Sequence, residues 1–245
     1  MQAEAAFRTM VRPADEVDQI IYHITHDLRA SLRALKSLPG WLREDLTANG
    51  ATPSTSVLEI LEMLEQQAER ADTMLLDLRT FSRIGRMGDE PAMIPFSEAL
   101  DGALERVDLP TGFSVSREID VKSLRAPRNE LRELFFAVIS NAVKHHDRDQ
   151  GTIAVGASMQ AGDMVITIED DGPGIPQQFC ERVFVMMATL RARDECPGSG
   201  LGLSIARKIV ERLGGSITAA PVGDDRGTCI TIRLPGYLAG PKSIS

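Results

Sequence analysis

Apolar residues recur at alternating spacings of four and three through residues 12–85, and that repeat restricts the stretch to paired helices. Val17, Ile21, Ile24, Leu28, Ser31, Leu35, Leu38 and Leu42 make one seam, with a polar interruption at Ser31. Val57, Leu61, Leu64, Ala68, Ala71, Leu75 and Leu78 make a second. Between them TANGATPSTS, Thr47 to Ser56, is rich in turn formers, and Ser54, Thr55 or Ser56 is placed to cap the second helix. A helical hairpin is expected. Two narrow seams cannot enclose a core alone, so a homodimer forming a four-helix bundle is the natural solution. Pro39 removes a backbone hydrogen bond inside the first helix, with Gly40 beside it, and predicts a kink. The Arg, Asp and Glu residues between the seams read as a solvated surface.

Around Ile84 to Pro95 the heptads stop and alternating strand patterns begin, which divides the chain into residues 1–88 and 89–245. Helices are expected near 97–107, 128–146 and 200–213. Strands are expected near 113–119, 151–158, 163–170, 215–220 and 227–234, paired in sequence with the helices on one face. The class is α+β: a helical hairpin, then an α/β sandwich with a mixed, largely antiparallel sheet.

A net charge of −8 and a pI near 5.1 repel nucleic acid and anionic membrane at long range, so neither is an expected partner. The longest apolar run, Leu134 to Val143, is far short of the roughly 20 residues that span a bilayer. The first residues lack a basic start followed by an apolar stretch, so no secretory signal is visible. Cys180, Cys196 and Cys229 are too few and scattered for a disulfide framework or a metal site. A reducing cytoplasm is the expected compartment.

Three stretches could carry chemistry. EDDGPGI, Glu169 to Ile175, follows the apolar strand MVITI; Asp170 supplies an acceptor at the strand's end, and Gly172 and Gly174 permit positive φ and close approach of a ligand. GSGLGLSIARKIVERLGG, Gly198 to Gly215, is a glycine-rich loop running into an amphipathic helix, where free N–H groups and the helix dipole favour a polyphosphate. In ELFFAVISNAVKHHDR, Glu133 to Arg148, Asn141, Lys144 and His145 fall at i, i+3 and i+4 on one helix face. An amide oxygen can join a magnesium shell made mostly of waters and phosphates, and a lysine can neutralise a phosphate. Taken singly, each has a plain structural explanation: a turn, a capped loop, a hydrogen-bonded asparagine beside a surface lysine. In this order they are far more specific together.

From about residue 92 to 236 the sequence resembles the ATP-binding domain of sensor histidine kinases, a fold shared with heat-shock chaperone and topoisomerase ATPases. The resemblance implies that Asn141 helps hold Mg²⁺ and that Asp170 accepts from the adenine amino group. It also implies that the phosphate loop contains Gly198, Gly200, Leu201 and Gly202, and that Lys144, His145, Gly172, Gly174 and Thr228 belong to the same nucleotide site. Phe184 matches the first aromatic of the family's phenylalanine motif, and LRARDECPGSG, Leu190 to Gly200, looks like its lid. In the hairpin, THDLRASLRAL, Thr25 to Leu35, resembles the phosphoacceptor motif, which makes His26 the phosphoacceptor and Asp27 its acidic neighbour. The seam places His26 two residues after Ile24 and two before Leu28, and so points it away from the bundle core.

A neutral imidazole can attack the γ-phosphate of ATP in line, while Asp27 accepts from the other ring nitrogen or acts as general base. The family's implied next step is transfer to an aspartate of a response-regulator receiver domain. Five positions depart from the pattern. Ser31 replaces a helix-bending proline, and Ala30 stands where a side chain would orient water for dephosphorylation, so phosphatase activity is expected to be weak. Ala137 replaces an asparagine one turn before Asn141; it also leaves no water-activating glutamate there, which disfavours simple ATP hydrolysis. Met186 and Met187 replace a proline and the second aromatic of the phenylalanine motif. These changes keep open a histidine phosphotransferase or a dimeric scaffold with a degenerate nucleotide domain. A serine/threonine kinase of the anti-sigma type on the same fold is opposed by the hairpin carrying His26.

Overall fold

The computed structural model describes residues 13–86, 90–190, 199–223 and 226–238. They form two compact units that divide between Arg83 and Ile84, with Ser199 grouped with the first.

The first unit is the hairpin of α1 (Pro13–Ala48) and α2 (Thr55–Arg83). Helix α1 ends in a Schellman turn: Gly50 takes φ +69°, its N–H reaches the Thr47 carbonyl at 3.1 Å, and Ala51 N–H reaches that of Leu46 at 3.0 Å. Ser54 caps α2, its hydroxyl accepting from Val57 N–H at 3.4 Å. The helix assignment of α1 continues through Pro39, which is itself buried.

The face of α1 that meets α2 lies beside the predicted seam, not on it. It carries Thr25, Arg29, Leu32, Lys36, Pro39 and Arg43, again at spacings of four and three. Helix α2 answers with Leu61, Glu65, Ala68 and Asp72. Arg29 and Lys36 lie 3.5 and 3.6 Å from Asp72, and Arg43 lies 3.4 Å from Glu65. Charges read from sequence as a solvated surface therefore bridge the two helices in part. The apolar seam of α1 is left in water: Ile24, Leu28, Leu35, Leu38 and Leu42 are each about half exposed, from 48 to 54%.

The second unit contains β1 (Ala92–Pro95), α3 (Phe96–Leu104), β2 (Gly112–Ile119), β3 (Ser123–Ala126), α4 (Arg128–Lys144), β4 (Gln150–Gln160), β5 (Asp163–Asp170), α5 (Gly202–Arg212), β6 (Ser216–Pro221) and β7 (Thr228–Pro235). Five strands form one sheet in the order β2-β4-β5-β7-β6, parallel between β2 and β4 and antiparallel elsewhere. The β4–β5 hairpin turns at Ala161 and Gly162, both at positive φ, the backbone of a tight primed turn.

Pairing departs from sequence order in one place. The last strand enters between β5 and β6, so β6 becomes the edge. A small antiparallel pair, β1 with β3, is additional to the predicted strands. The sheet buries one face: Ile153, Val155 and Ala157 of β4, Met164, Ile166 and Ile168 of β5, and Ile230, Ile232 and Leu234 of β7. Against it lie Leu131, Leu134, Phe135 and Val138 of α4 and Ile205, Ile209 and Val210 of α5. The side-chain period of two puts alternate residues of each strand into this layer, and the last residue to follow that alternation on β5 is Asp170.

Candidate functional site

Register carries Asp170 to its place. It pairs with Ile153 on one side and Thr228 on the other, so all three form a row on the helix-covered face at one end of the sheet. A carboxyl in that layer loses water, and burial pushes Asp170 above the usual carboxylate range; the N–H groups of Gly172 and Thr228, which donate to it, act the other way. The Gly172 bond to Oδ1 is 3.0 Å long. Thr228 itself is buried, at 5% exposure.

The two glycines of the DxGxG turn have different reasons to be glycine. Gly174 takes φ +79°, as expected, with the Gly227 carbonyl 3.1 Å from where a Cβ would stand. Gly172 is absent from the positive-φ residues, which corrects the sequence reading. Its need is space, since a Cβ would stand 2.9 Å from Asp170 Oδ1 and 3.3 Å from His146 Cδ2.

Helix α4 ends beside this turn. Asn141 is half-buried in its last turns, Lys144 is exposed as the final helical residue, and His145 is the C-cap, its N–H bonded to the Asn141 carbonyl at 3.1 Å. His146, which the motif reading passed over, is the histidine tied to the DxGxG segment: its Nε2 lies 3.1 Å from Asp171 Oδ1, and its side chain is only 2% exposed. Its neighbour Asp147 makes a two-point pair with Arg226 at 2.6 and 3.1 Å, which lowers the Asp147 pKa to about 2. Arg226 also donates to the Asp171 carbonyl at 3.1 and 3.2 Å. The end of α4, the DxGxG turn and the β6–β7 connection are thus fastened together. A doubled His in sequence was the available signal, but periodicity does not say which of two neighbours points inward.

At the start of α5, Gly200 takes φ +70°, and a Cβ there would stand 2.8 Å from the Ala188 carbonyl. The Gly200 carbonyl accepts from Met187 N–H at 3.0 Å. Leu201 is fully buried as the residue before the helix, and Gly202 begins it with the Ala137 carbonyl 3.7 Å from its virtual Cβ. The helix start therefore lies against α4 one turn from Asn141. Gly198, with residues 191–198 of the expected lid, lies outside the described residues. Phe184 is buried, whereas Met186 and Met187 are 39% and 47% exposed, and Met187 takes φ +61°.

Among the described residues no group of three or more His, Cys, Asp or Glu is placed to hold a metal ion. Asn141 contributes one neutral amide oxygen. That donor set suits a Mg²⁺ arriving with polyphosphate oxygens and its own waters, not a cage of protein ligands.

On the hairpin, His26 and Asp27 are well exposed, at 70% and 84% of their side chains, and His26 Nδ1 lies 3.2 Å from Asp27 Oδ1. His26 stands off the apolar stripe of Ile24 and Leu28, as the heptad register requires.

Residues 126–238 match the family described as histidine kinase-, DNA gyrase B- and HSP90-like ATPase. The chain is 30% identical over 224 residues to the methanogenesis regulatory histidine kinase FilI of Methanothrix harundinacea, an alignment covering 90% of this chain and 25% of FilI. The mycobacterial sensor histidine kinase MprB is 27% identical, with a TM-score of 0.54 over 62% of this chain and 99% of that one. Full-length ShkA, solved in complex with AMPPNP, shares the fold at 18% identity, with a TM-score of 0.65 over 92% of this chain and 47% of that one. The chain spans 25 to 29% of the length of the first four curated relatives it matches.

Proposed function

We infer, for a chain that carries over residues 126–238 the ATPase domain of the histidine kinase, DNA gyrase B and HSP90 family, that it is an ATP-dependent histidine autokinase. The observation that carries this reading is the pairing of that domain, within one chain, with an exposed histidine whose Nδ1 faces an adjacent carboxylate.

With Nδ1–H donated to Asp27, the lone pair of His26 lies on Nε2, which attacks the γ-phosphorus in line. The bond from phosphorus to the β,γ-bridging oxygen breaks and ADP leaves. The Nδ1 proton stays with the phosphoimidazolium, where Asp27 stabilises it or accepts it. Asp170 accepts from the exocyclic amino group of adenine, with Thr228 beside it. Gly200, Leu201 and Gly202 bring the start of α5 to the phosphates, and Lys144 and His145 flank them from α4. Asn141 would hold Mg²⁺, which when bound neutralises charge on the phosphates. The phosphoryl group on His26 then passes to an aspartate of a receiver domain.

The hairpin works as a homodimer. Ile24, Leu28, Leu35, Leu38 and Leu42 each leave about half their surface in water, and burying the remainder stabilises association by roughly 1 kcal/mol per side chain. No helix of the described residues is long and apolar enough to cross a membrane. The catalytic reading is tested by incubating the full chain with γ-labelled ATP and Mg²⁺. Acid-labile label on the wild type and none on His26→Ala is expected; acid-stable label, or label indifferent to the substitution, contradicts it.

A further inference from the structure

His146 is a buried polar side chain with a full set of partners and no role in the proposed chemistry. Asp171 can only accept when ionised, so the His146 ring carries its proton on Nε2 and donates it to Asp171 Oδ1 at 3.1 Å. Nδ1 then accepts from Arg148 N–H at 3.1 Å. The same carboxylate oxygen accepts from Thr152 N–H at 2.7 Å, which anchors it to the start of β4. Burial would raise the Asp171 pKa, but the N–H of Thr152 and the His146 ring outweigh it and hold it below the usual carboxylate range. On its other side the ring meets Phe113 edge to face, centroids 5.0 Å apart.

The consequence falls on the next peptide. The ring edge lies close enough to Gly172 that a Cβ there would stand 3.3 Å from Cδ2. Gly172 N–H is one of the donors that holds the Asp170 carboxylate. His146 thus holds Asp171 by a hydrogen bond and keeps its ring edge beside Gly172, the two residues that follow Asp170.

We propose that His146 is a positioning residue that fixes the Asp170 carboxylate for the exocyclic amino group of an adenine base, acting through Asp171 and Gly172; this rests on reading the site as an ATP site. The chain selects adenine by one hydrogen bond, and the precision of that bond depends on a side chain that does not touch the nucleotide. A site built to accept a substrate N–H rejects the analogue that lacks it, because its own acceptor is left unpaired.

The test compares ATP with purine riboside triphosphate, which lacks the 6-amino group, by equilibrium binding to the full chain. The wild type is expected to bind ATP at least about tenfold more tightly than the analogue. In His146→Phe, which keeps the ring and loses the donor, the ATP constant weakens by about tenfold while that of the analogue changes less than about twofold, so the ratio collapses. His146→Gln, whose amide N–H reaches toward Asp171, keeps most of the ratio; His146→Asn, which reaches Arg148 but not Asp171, behaves as His146→Phe. That pair of variants decides the matter if the phenylalanine variant does not fold. Equal weakening of both ligands, or an unchanged ratio, overturns the positioning role. A wild type that binds ATP no better than the analogue overturns the ATP reading and this proposal with it.

Discussion

Asp170 and Thr228 stand directly opposite each other on β5 and β7, and the Thr228 N–H donates to the Asp170 carboxyl. The pairing puts a carboxylate and a hydroxyl-bearing residue side by side on the covered face of a sheet whose other rows there are aliphatic. Their burial has opposite consequences for stability and for binding.

Asp170→Asn separates the two. The raised pKa means that the folded state prefers the protonated carboxyl, so stability is highest below the ordinary carboxylate range and declines as pH rises through the raised value. At neutral pH the asparagine variant should therefore melt at a higher temperature than the wild type, and the gap should close below about pH 4. Its affinity for ATP should fall by about tenfold or more, since a charge-assisted acceptor is lost. Thermal melts across pH and equilibrium binding read the two effects.

The Asp147–Arg226 pair lies at the surface, its side chains 36% and 30% exposed, so its value lies in fastening loops and not in bulk stability. A pKa lowered to about 2 from 3.8 means that its contribution is complete above pH 3.8 and lost as pH falls through about 2. Arg226→Gln should leave the melting temperature nearly unchanged, yet speed amide exchange at Gly172 and Gly227, whose backbones are joined by a 2.9 Å hydrogen bond. Hydrogen exchange with site resolution checks this; unchanged protection at both glycines contradicts it.

Glu130 is buried in the first turn of α4, where its carboxylate accepts from Gly85 N–H at 2.8 Å and from Arg212 Nε at 3.2 Å. Glu130→Ala leaves the Gly85 donor without its partner and should destabilise the nucleotide unit by roughly 2–3 kcal/mol, whereas Glu130→Gln, which keeps the acceptor for Gly85, should cost less than half of that. Denaturant unfolding followed in the full chain distinguishes them, and equal losses would contradict the geometry.

The exposed stripe of α1 makes a direct prediction about assembly. Leu35→Glu together with Leu42→Glu should convert a dimer into a monomer in light scattering, with helix content falling by less than the mass change implies. A wild type that is monomeric at micromolar concentration sinks the dimer.

Much of this architecture was legible in the sequence. The helical hairpin, a cap at Ser54, Thr55 or Ser56, and the strands carrying Asp170 and Thr228 follow from spacing and turn residues, because these are local signals; the fold selects Ser54. The small β1–β3 pair was not, since four residues are too short a run for alternation to mark a strand, and β1 ends in Pro95 while β3 stops at Pro127. Nor was the insertion of β7 between β5 and β6, a long-range choice that local pattern does not encode. The helix–helix face was hidden because Arg29, Lys36 and Arg43 repeat at heptad spacing in residues that read as surface. His146 was obscured by His145: only the fold decides which of two adjacent histidines at a helix end turns inward.

His26 is the proposed acceptor of the γ-phosphoryl group of ATP. The most direct measurement of this is phosphorus NMR of the full chain after reaction with ATP and Mg²⁺, with the modified peptide located by mass spectrometry at alkaline pH. A phosphorus–nitrogen resonance that disappears on acidification, mapped to the peptide containing His26, and formed together with an equal amount of ADP is the predicted result. ADP release without that resonance, or the same resonance from His26→Ala, would contradict it.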